Sequence, residues 1–251
     1  MLALDITDGR VRVLCDADGG AVRDPCVSYD GKRILFSWAR DAEHCFQNWL
    51  SCATCHPNAR ADGLNWDLQN DGVGTPKNTK SLFLSHATPL IMTTGARDHI
   101  SDAIAAGFRG LQFIVPHPVT ERDVLAYLQS LEQRQSPHRL RDGTLSESAS
   151  RGEVLLNSAE VGCSACHSGQ HTTDLKRHDV GTSVPRGRAT NLQFDTPTLT
   201  ETWRTAPYLH DGRATTITAV LTKHNHGDCH GRTSHLSRQE LRDLAEFVLS
   251  Q

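Results

Sequence analysis

Two pentapeptides carry the chemistry of this chain: Cys52-Ala53-Thr54-Cys55-His56 and Cys163-Ser164-Ala165-Cys166-His167. Each is a C-x-x-C-H motif, the attachment signature of c-type haem. Two thiols with a two-residue gap reach the two vinyl groups on one edge of a porphyrin. The His that follows then falls under the iron as its proximal ligand. A zinc ribbon would need about 15–20 residues between its C-x-x-C pairs, and here the motifs stand far apart. A thioredoxin-like C-x-x-C would need a βαβ context, which the sequence lacks. Neither alternative accounts for a His directly after the second Cys in both motifs.

The chain has 251 residues, 26 basic and 29 acidic side chains and a formal charge of −3. That length suits one large or two small domains. The charge balance, with no basic run, argues against a nucleic-acid partner. Hydrophobic residues make up only 37%, a modest core supply that two apolar porphyrin discs would supplement. Four of the eight Cys lie in the motifs, leaving Cys15, Cys26, Cys45 and Cys229. Thioether-bound haem proteins mature outside the cytoplasm, where these cysteines are free to pair. Pairing and buried thiols both remain open for them. No stretch is long or apolar enough to span a membrane. The first ten residues have neither a charged n-region nor an apolar h-region, so they are not a signal peptide. A periplasmic or otherwise exported location is expected, with the chain a mature piece or fragment of a longer precursor.

The elements that must position the motifs read as mainly α, with two cytochrome c-like haem lobes in tandem behind a short β arm. The expected divisions are 1–44 for the arm, 45–140 for the N-terminal lobe and 141–251 for the C-terminal lobe. In the arm, Val11-Arg12-Val13-Leu14 and Ile34-Leu35-Phe36-Ser37 follow Asp-Gly turns, a hairpin signal. The loop after Cys52 is rich in Asn, Asp and Gly, as expected of backbone wrapping a haem. Helices are expected over Asp102–Leu111, over Glu121–Leu131 with Thr120 as N-cap, from about Ser146, and from Ser237, whose capping box uses Glu240. A polar linker holding Pro137 runs from Gln133 to Gly143. Both halves follow one plan. Asn78-Thr79 pairs with Asp195-Thr196, and Pro89-x-x-Met92 before Gly95 pairs with Pro207-x-x-His210 before Gly212, the pattern of an internal duplication.

At Phe194-Asp195-Thr196-Pro197-Thr198-Leu199 and Thr205-Ala206-Pro207-Tyr208-Leu209-His210-Asp211-Gly212-Arg213, the chain resembles the bacterial dihaem cytochrome c peroxidase and MauG superfamily. The resemblance runs over about residues 46–251. It is strongest to periplasmic members fused behind a β-propeller of the YVTN type. Asp24 to Phe36 is similar to part of one propeller blade, so the arm reads as a blade remnant. The resemblance implies two covalently bound haem c groups: one held by Cys52, Cys55 and His56, the other by Cys163, Cys166 and His167. It implies a calcium ion between them, with Asn78, Thr205 and Pro207 as ligands.

The family's distal ligand of the second haem is a Met, and its position here falls on His224. No Met follows Met92, so a His/His pair is the natural replacement, at lower potential than His/Met. His210, His226 and His230 compete for the place. The first haem lacks the family's loop His. It is either five-coordinate or takes Met92 or His86. The Trp that bridges the haems in the family falls near Thr93 and is absent. Trp66 is a substitute route or a packed side chain. The distal acid or amide that cleaves the O–O bond falls near Gln112 to Ile114, where no carboxylate stands.

The resulting expectation is a peroxidase-like oxidoreductase. It passes electrons from the C-terminal haem to an N-terminal haem that binds peroxide or a related small oxidant. A small cytochrome or cupredoxin is the expected donor. The alternative is a non-catalytic electron-transfer module serving a propeller-borne or partner enzyme.

Overall fold

The computed structural model describes residues 51–68, 76–183 and 193–251, together with the backbones of four strands nearer the N-terminus. Those strands form two antiparallel pairs: β1 (Leu2–Leu4) with β2 (Val11–Val13), and β3 (Ala21–Val27) with β4 (Ile34–Ala39). The register of β3–β4 shifts between Arg23 and Cys26. Pro25 lies in that interval, and a proline that cannot donate to the ladder is at home in such an irregularity. Both expected strands are therefore present. The Asp-Gly turns lie outside the described residues.

From residue 51 onward the regular structure is mostly helical. The first half holds the one-turn α1 (Cys52–Cys55), the ribbon β5 (Asn65–Trp66) with β6 (Lys77–Asn78), α2 (Ile100–Gly110) and α3 (Pro118–Gln129). The second half holds α4 (Glu147–Asn157), the ribbon β7 (Arg177–His178) with β8 (Phe194–Asp195), α5 (Ile217–Leu221) and α6 (Arg238–Leu249).

Helix boundaries follow local chemistry. Ser146 Oγ accepts the Ala149 N–H at 3.1 Å and starts α4 as expected. The Ser237–Glu240 capping box closes in both directions, at 3.3 and 2.8 Å. α3 differs from the expectation. It starts at Pro118, and its cap is His117, whose Nδ1 accepts the Val119 N–H at 3.2 Å. A proline fits the first helical position, where its missing N–H would have had no partner.

Each half has its own apolar cluster. One gathers Ala59, Ile91, Leu128 and the α2 stripe Ile100–Ile104–Phe108, the spacing that lines one helical face. The other packs α4 on α6 with Val161, Leu199, Ile217 and Leu221. The α4–α6 approach depends on Gly152, where a Cβ would lie 1.9 Å from the Asp243 carbonyl oxygen. The polar run from Gln133 to Gly143, expected as a linker, is tied down. Ser136 Oγ donates to the Leu249 carbonyl at 2.6 Å and Arg139 Nε to the Ser250 carbonyl at 2.7 Å.

The duplication is visible in three dimensions. Ile91 bridges Arg97 in the first half as Tyr208 bridges Ala214 in the second. The bridge geometry shifts the expected pairing by one residue. Met92, with φ of 75°, corresponds to Leu209, with φ of 71°, rather than to His210. Gly95 still matches Gly212, at 60° and 66°. On this register Thr93 is the counterpart of His210, and Asn78 of Asp195. The seam repeats accordingly: Asn78 N–H donates to the His210 carbonyl at 2.7 Å, and Asp195 N–H to the Thr93 carbonyl at 3.0 Å. Such reciprocal contacts are what a pseudo-twofold relation between halves produces.

Candidate haem and cation sites

Both motif histidines are held the same way. α1 ends at His56, whose Nδ1 lies 3.1 Å from the Arg60 carbonyl. A single 3₁₀ turn, Cys163–Ala165, precedes His167, whose Nδ1 lies 3.2 Å from the Thr172 carbonyl. A carbonyl on Nδ1 fixes the tautomer and leaves Nε2 for a metal. Burial holds both rings below the usual imidazole range, in the neutral form a ligand needs. The thiols of Cys55, Cys163 and Cys166 are unbridged. Burial, reinforced by Cys166, pushes Cys163 up to about 11. These two arrangements fit haem c: paired thiols, then an oriented imidazole.

The sites differ on the far side. The ring of His230 faces that of His167, with centroids 6.3 Å apart and planes tilted by 36°. Its Nδ1 is buried with no hydrogen-bond partner among the described residues. Burial, reinforced by His167, pushes this ring down to about 4. The sequence expectation for that place was His224. Its Nε2 is also buried and unpartnered, but among the described residues the ring facing His167 is that of His230. His210 is engaged elsewhere, stacked on Phe194 with centroids 4.0 Å apart. His226 is exposed. Cys229 is an exposed, unbridged thiol. Cys15 and Cys45 lie outside the described residues, as does the side chain of Cys26.

Among the described residues no aromatic ring faces His56. Met92 leans on the first apolar cluster, and His86 has a buried, unpartnered Nδ1. Gln112 is 6% exposed, and its Nε2 approaches Cys52 Sγ at 3.5 Å. Its Oε1 is buried without a partner. A polar amide thus stands beside the first attachment cysteine. Trp66 is neither a packed side chain nor a buried route between the halves. It is 37% exposed and donates from Nε1 to Asp62 at 2.9 Å.

The residues expected to hold calcium come partly together. Asn78 Nδ2 donates to the Pro207 carbonyl, and Asn78 Oδ1 is buried and unpartnered. Thr205 Oγ1 donates to the Thr202 carbonyl at 3.1 Å, so the hydroxyl is engaged within its own turn. A half-turn of the amide would set Oδ1 beside the Pro207 carbonyl, an oxygen pair suited to calcium. Among the described residues, Cys166, Asp174 and His178 also group within 4.8 Å. Cys166 belongs to the second attachment motif, and His178 Nε2 already bonds Asp174 at 2.8 Å.

Sequence reasoning missed the buried ion pairs around the seam. Arg60 donates to Glu201 from Nε at 2.5 Å and from Nη2 at 3.1 Å, and lies 4.4 Å over the Phe83 ring. Glu201 is 1% exposed and also accepts the Arg134 N–H at 2.7 Å. Lys80 pairs with Asp195 across the same seam. No local signal marks partners 141 and 115 residues apart.

No family model matches the chain. It is 31% identical to the hydrazine synthase subunit gamma of Kuenenia stuttgartiensis over 83% of this chain and 74% of that protein. It is 24% identical to the methylamine utilization protein MauG of Methylophilus methylotrophus, over 80% of this chain and 72% of that one. This chain belongs to the dihaem cytochrome c peroxidase/MauG superfamily. The solved Kuenenia stuttgartiensis hydrazine synthase pressurised with xenon superposes with a TM-score of 0.74 at 29% identity, covering 84% of each chain. Superfamily membership makes haem c the implied cofactor, and electron transfer and peroxidase-like oxidoreductase chemistry the class. Among the described residues no helix is long and apolar enough to cross a membrane.

Proposed function

We propose that this superfamily member is an exported dihaem c-type oxidoreductase with two tandem haem lobes. One haem is held by Cys52, Cys55 and His56, the other by Cys163, Cys166 and His167. The observation that carries the reading is the asymmetry of the two histidines. A second imidazole faces His167, while among the described residues none faces His56. A haem held by His56 alone would supply an open position for a small oxidant, whereas one held between His167 and a second imidazole would supply electron relay.

Electrons then enter at the C-terminal site from a small cytochrome or cupredoxin and leave at the N-terminal one, to peroxide or a related oxidant. Reducing peroxide to two waters takes two electrons and two protons. The one-electron donor supplies the electrons in two steps, and the protons come from solvent. The chain's own contribution is positional. Arg60 and Thr172 carbonyls orient the two imidazoles, and the Gln112 amide offers the polar group on the oxidant's side. The Asn78–Pro207 contact supplies oxygens for a calcium ion joining the halves.

The similarity to a synthase subunit supports a second reading, a dihaem electron-transfer module within a larger enzyme. One experiment separates them: thioether-bound haem content, then low-temperature EPR of the ferric holoprotein with spin counted per haem. Two haems per chain, one high-spin and one low-spin, is the expected result. Two low-spin irons that stay so on reduction would favour the module. Repeating the spectrum after calcium chelation tests the cation site, where an unchanged spectrum and unchanged haem potentials would remove Asn78 from the ligand set.

A further inference from the structure

The geometry points to His230 as the second axial ligand of the haem held by Cys163, Cys166 and His167, so that this centre is bis-imidazole. The inference rests on the dihaem reading above and deepens it. An imidazole nitrogen sits about 2.0–2.1 Å from a bound metal, and about 1.1 Å more reaches the ring centre, so two rings on opposite sides of one ion lie about 6.3 Å apart. His167 and His230 are separated by 6.3 Å. Direct stacking of two rings would bring them closer, as it does for Phe194 and His210 at 4.0 Å. The spacing matches one metal ion held between the two rings.

The loop around His230 is built to hold that ring still. Asn225 is buried, and its amide works at both ends. Oδ1 accepts the His230 N–H at 2.7 Å, while Nδ2 donates to the Gly231 carbonyl and to Thr233 Oγ1, each at 2.8 Å. Thr233 Oγ1 in turn donates to the Leu221 carbonyl at the end of α5, at 2.5 Å. Arg232 N–H donates to the Val161 carbonyl at 2.8 Å, and Arg232 Nε to the Glu160 carbonyl at 2.7 Å. The loop is thereby clamped to the segment that leads into Cys163. Gly231, at φ of 82°, lets the backbone close on that cysteine: a Cβ there would lie 3.2 Å from Cys163 Sγ. One buried amide thus brackets His230 on both sides, and the ring it presents has an unpartnered nitrogen inside the protein. A buried imidazole without a protein partner is costly unless something else takes it. These bonds fix the backbone that carries the ring, and so limit where the ring can point.

The test compares His230→Ala and His224→Ala holoproteins with the parent by EPR and near-infrared magnetic circular dichroism. The parent should show one low-spin haem with the near-infrared band of two nitrogen ligands. His230→Ala should convert that haem, one for one, to high spin, and added imidazole should restore the low-spin signal. His224→Ala should leave it unchanged. Loss of the low-spin signal in His224→Ala with its retention in His230→Ala would overturn the assignment, as would retention in both. If His230→Ala does not fold, His230→Met serves. It should keep a low-spin haem whose near-infrared band moves to the sulfur-ligand position, and an unmoved band counts against His230. Absence of thioether-bound haem from the parent itself would overturn the dihaem reading, and the assignment with it. That outcome is read before any spectrum of a variant.

Discussion

Gln112 brings a nitrogen-bearing group beside Cys52 and His230 brings one to face His167, and they differ in what that group can do. An imidazole of the neutral form is a strong metal ligand. An amide is a poor ligand and a good hydrogen-bond partner, with two donors and an acceptor. Gln112 is buried, gives one contact to Cys52 and keeps Oε1 unspent. It is therefore expected to orient an oxidant at the first site rather than to fill it. Gln112→Leu should slow the second-order reaction of the ferric holoprotein with peroxide on the order of 10- to 100-fold, since removing one preorganised polar group costs about that much or more. The resting absorption spectrum should stay as in the parent. Gln112→Glu, which adds a proton carrier, should recover or exceed the parental rate. A Gln112→Leu protein that reacts at the parental rate would remove the residue from the mechanism.

At the scale of elements, the second half is organised by the contact of α4 with α6. Gly152 faces the Asp243 carbonyl at a distance no side chain tolerates. The Asp243 side chain seals the same contact. Its carboxylate takes bonds from Arg151, Ser148 and Gln239, which hold its pKa well below the usual carboxylate range, the Arg151 bond most of all. Gly152→Ala raises helix propensity, yet it should destabilise the protein. Forcing a methyl into a packed contact costs about 1–3 kcal/mol, against a gain of at most about 1 kcal/mol from replacing glycine in a helix. The check is the denaturant midpoint of the holoprotein, which should fall; a rise would mean the two helices separate without cost. The motif segment that follows α4 should then show weakened haem retention, because α4 leads into it.

Charged side chains as well as backbone cross the seam between the two halves. Arg60–Glu201 is buried on both sides, and Lys80–Asp195 also joins the halves. Burial pushes the Asp195 carboxyl up to about 6, and nearby Asp174 adds to this, while Lys80 pulls the other way. An unfolded Asp titrates near 3.9. A folded value above the unfolded one means that the native state holds the proton more tightly. The stability contributed by this group is then fully present below about pH 4 and lost as pH rises through about 6, by about 2–3 kcal/mol for a shift of this size. Asp195→Asn removes the titration. The stability of the parent relative to Asp195→Asn should therefore be greater at pH 4.5 than at pH 7.5, measured by denaturant unfolding of each protein at both values. A difference that does not change with pH would sink the assignment.

Much of this was legible locally. The two C-x-x-C-H pentapeptides could be read as candidate haem sites because thiol spacing and the adjoining His are set by a few bonds. The Ser146 and Ser237 caps could be read because a cap and its partner lie three residues apart. The duplication was legible too, though its register was one residue off in the Pro89 and Pro207 segments. Residue types alone could not say that Met92 shares its left-handed backbone with Leu209 rather than pairing with His210. The choice among His210, His224, His226 and His230 belonged to tertiary structure. All four lie near one another in sequence, and only the folding of the Asn225–Thr233 loop onto the approach to Cys163 turns one ring toward His167. The same holds for Glu201, an ordinary acid in a Thr-rich segment that becomes the buried partner of Arg60 across 141 residues of chain. Short-range spacing determines which groups a chain can offer a cofactor, and packing at long range determines which of them meet.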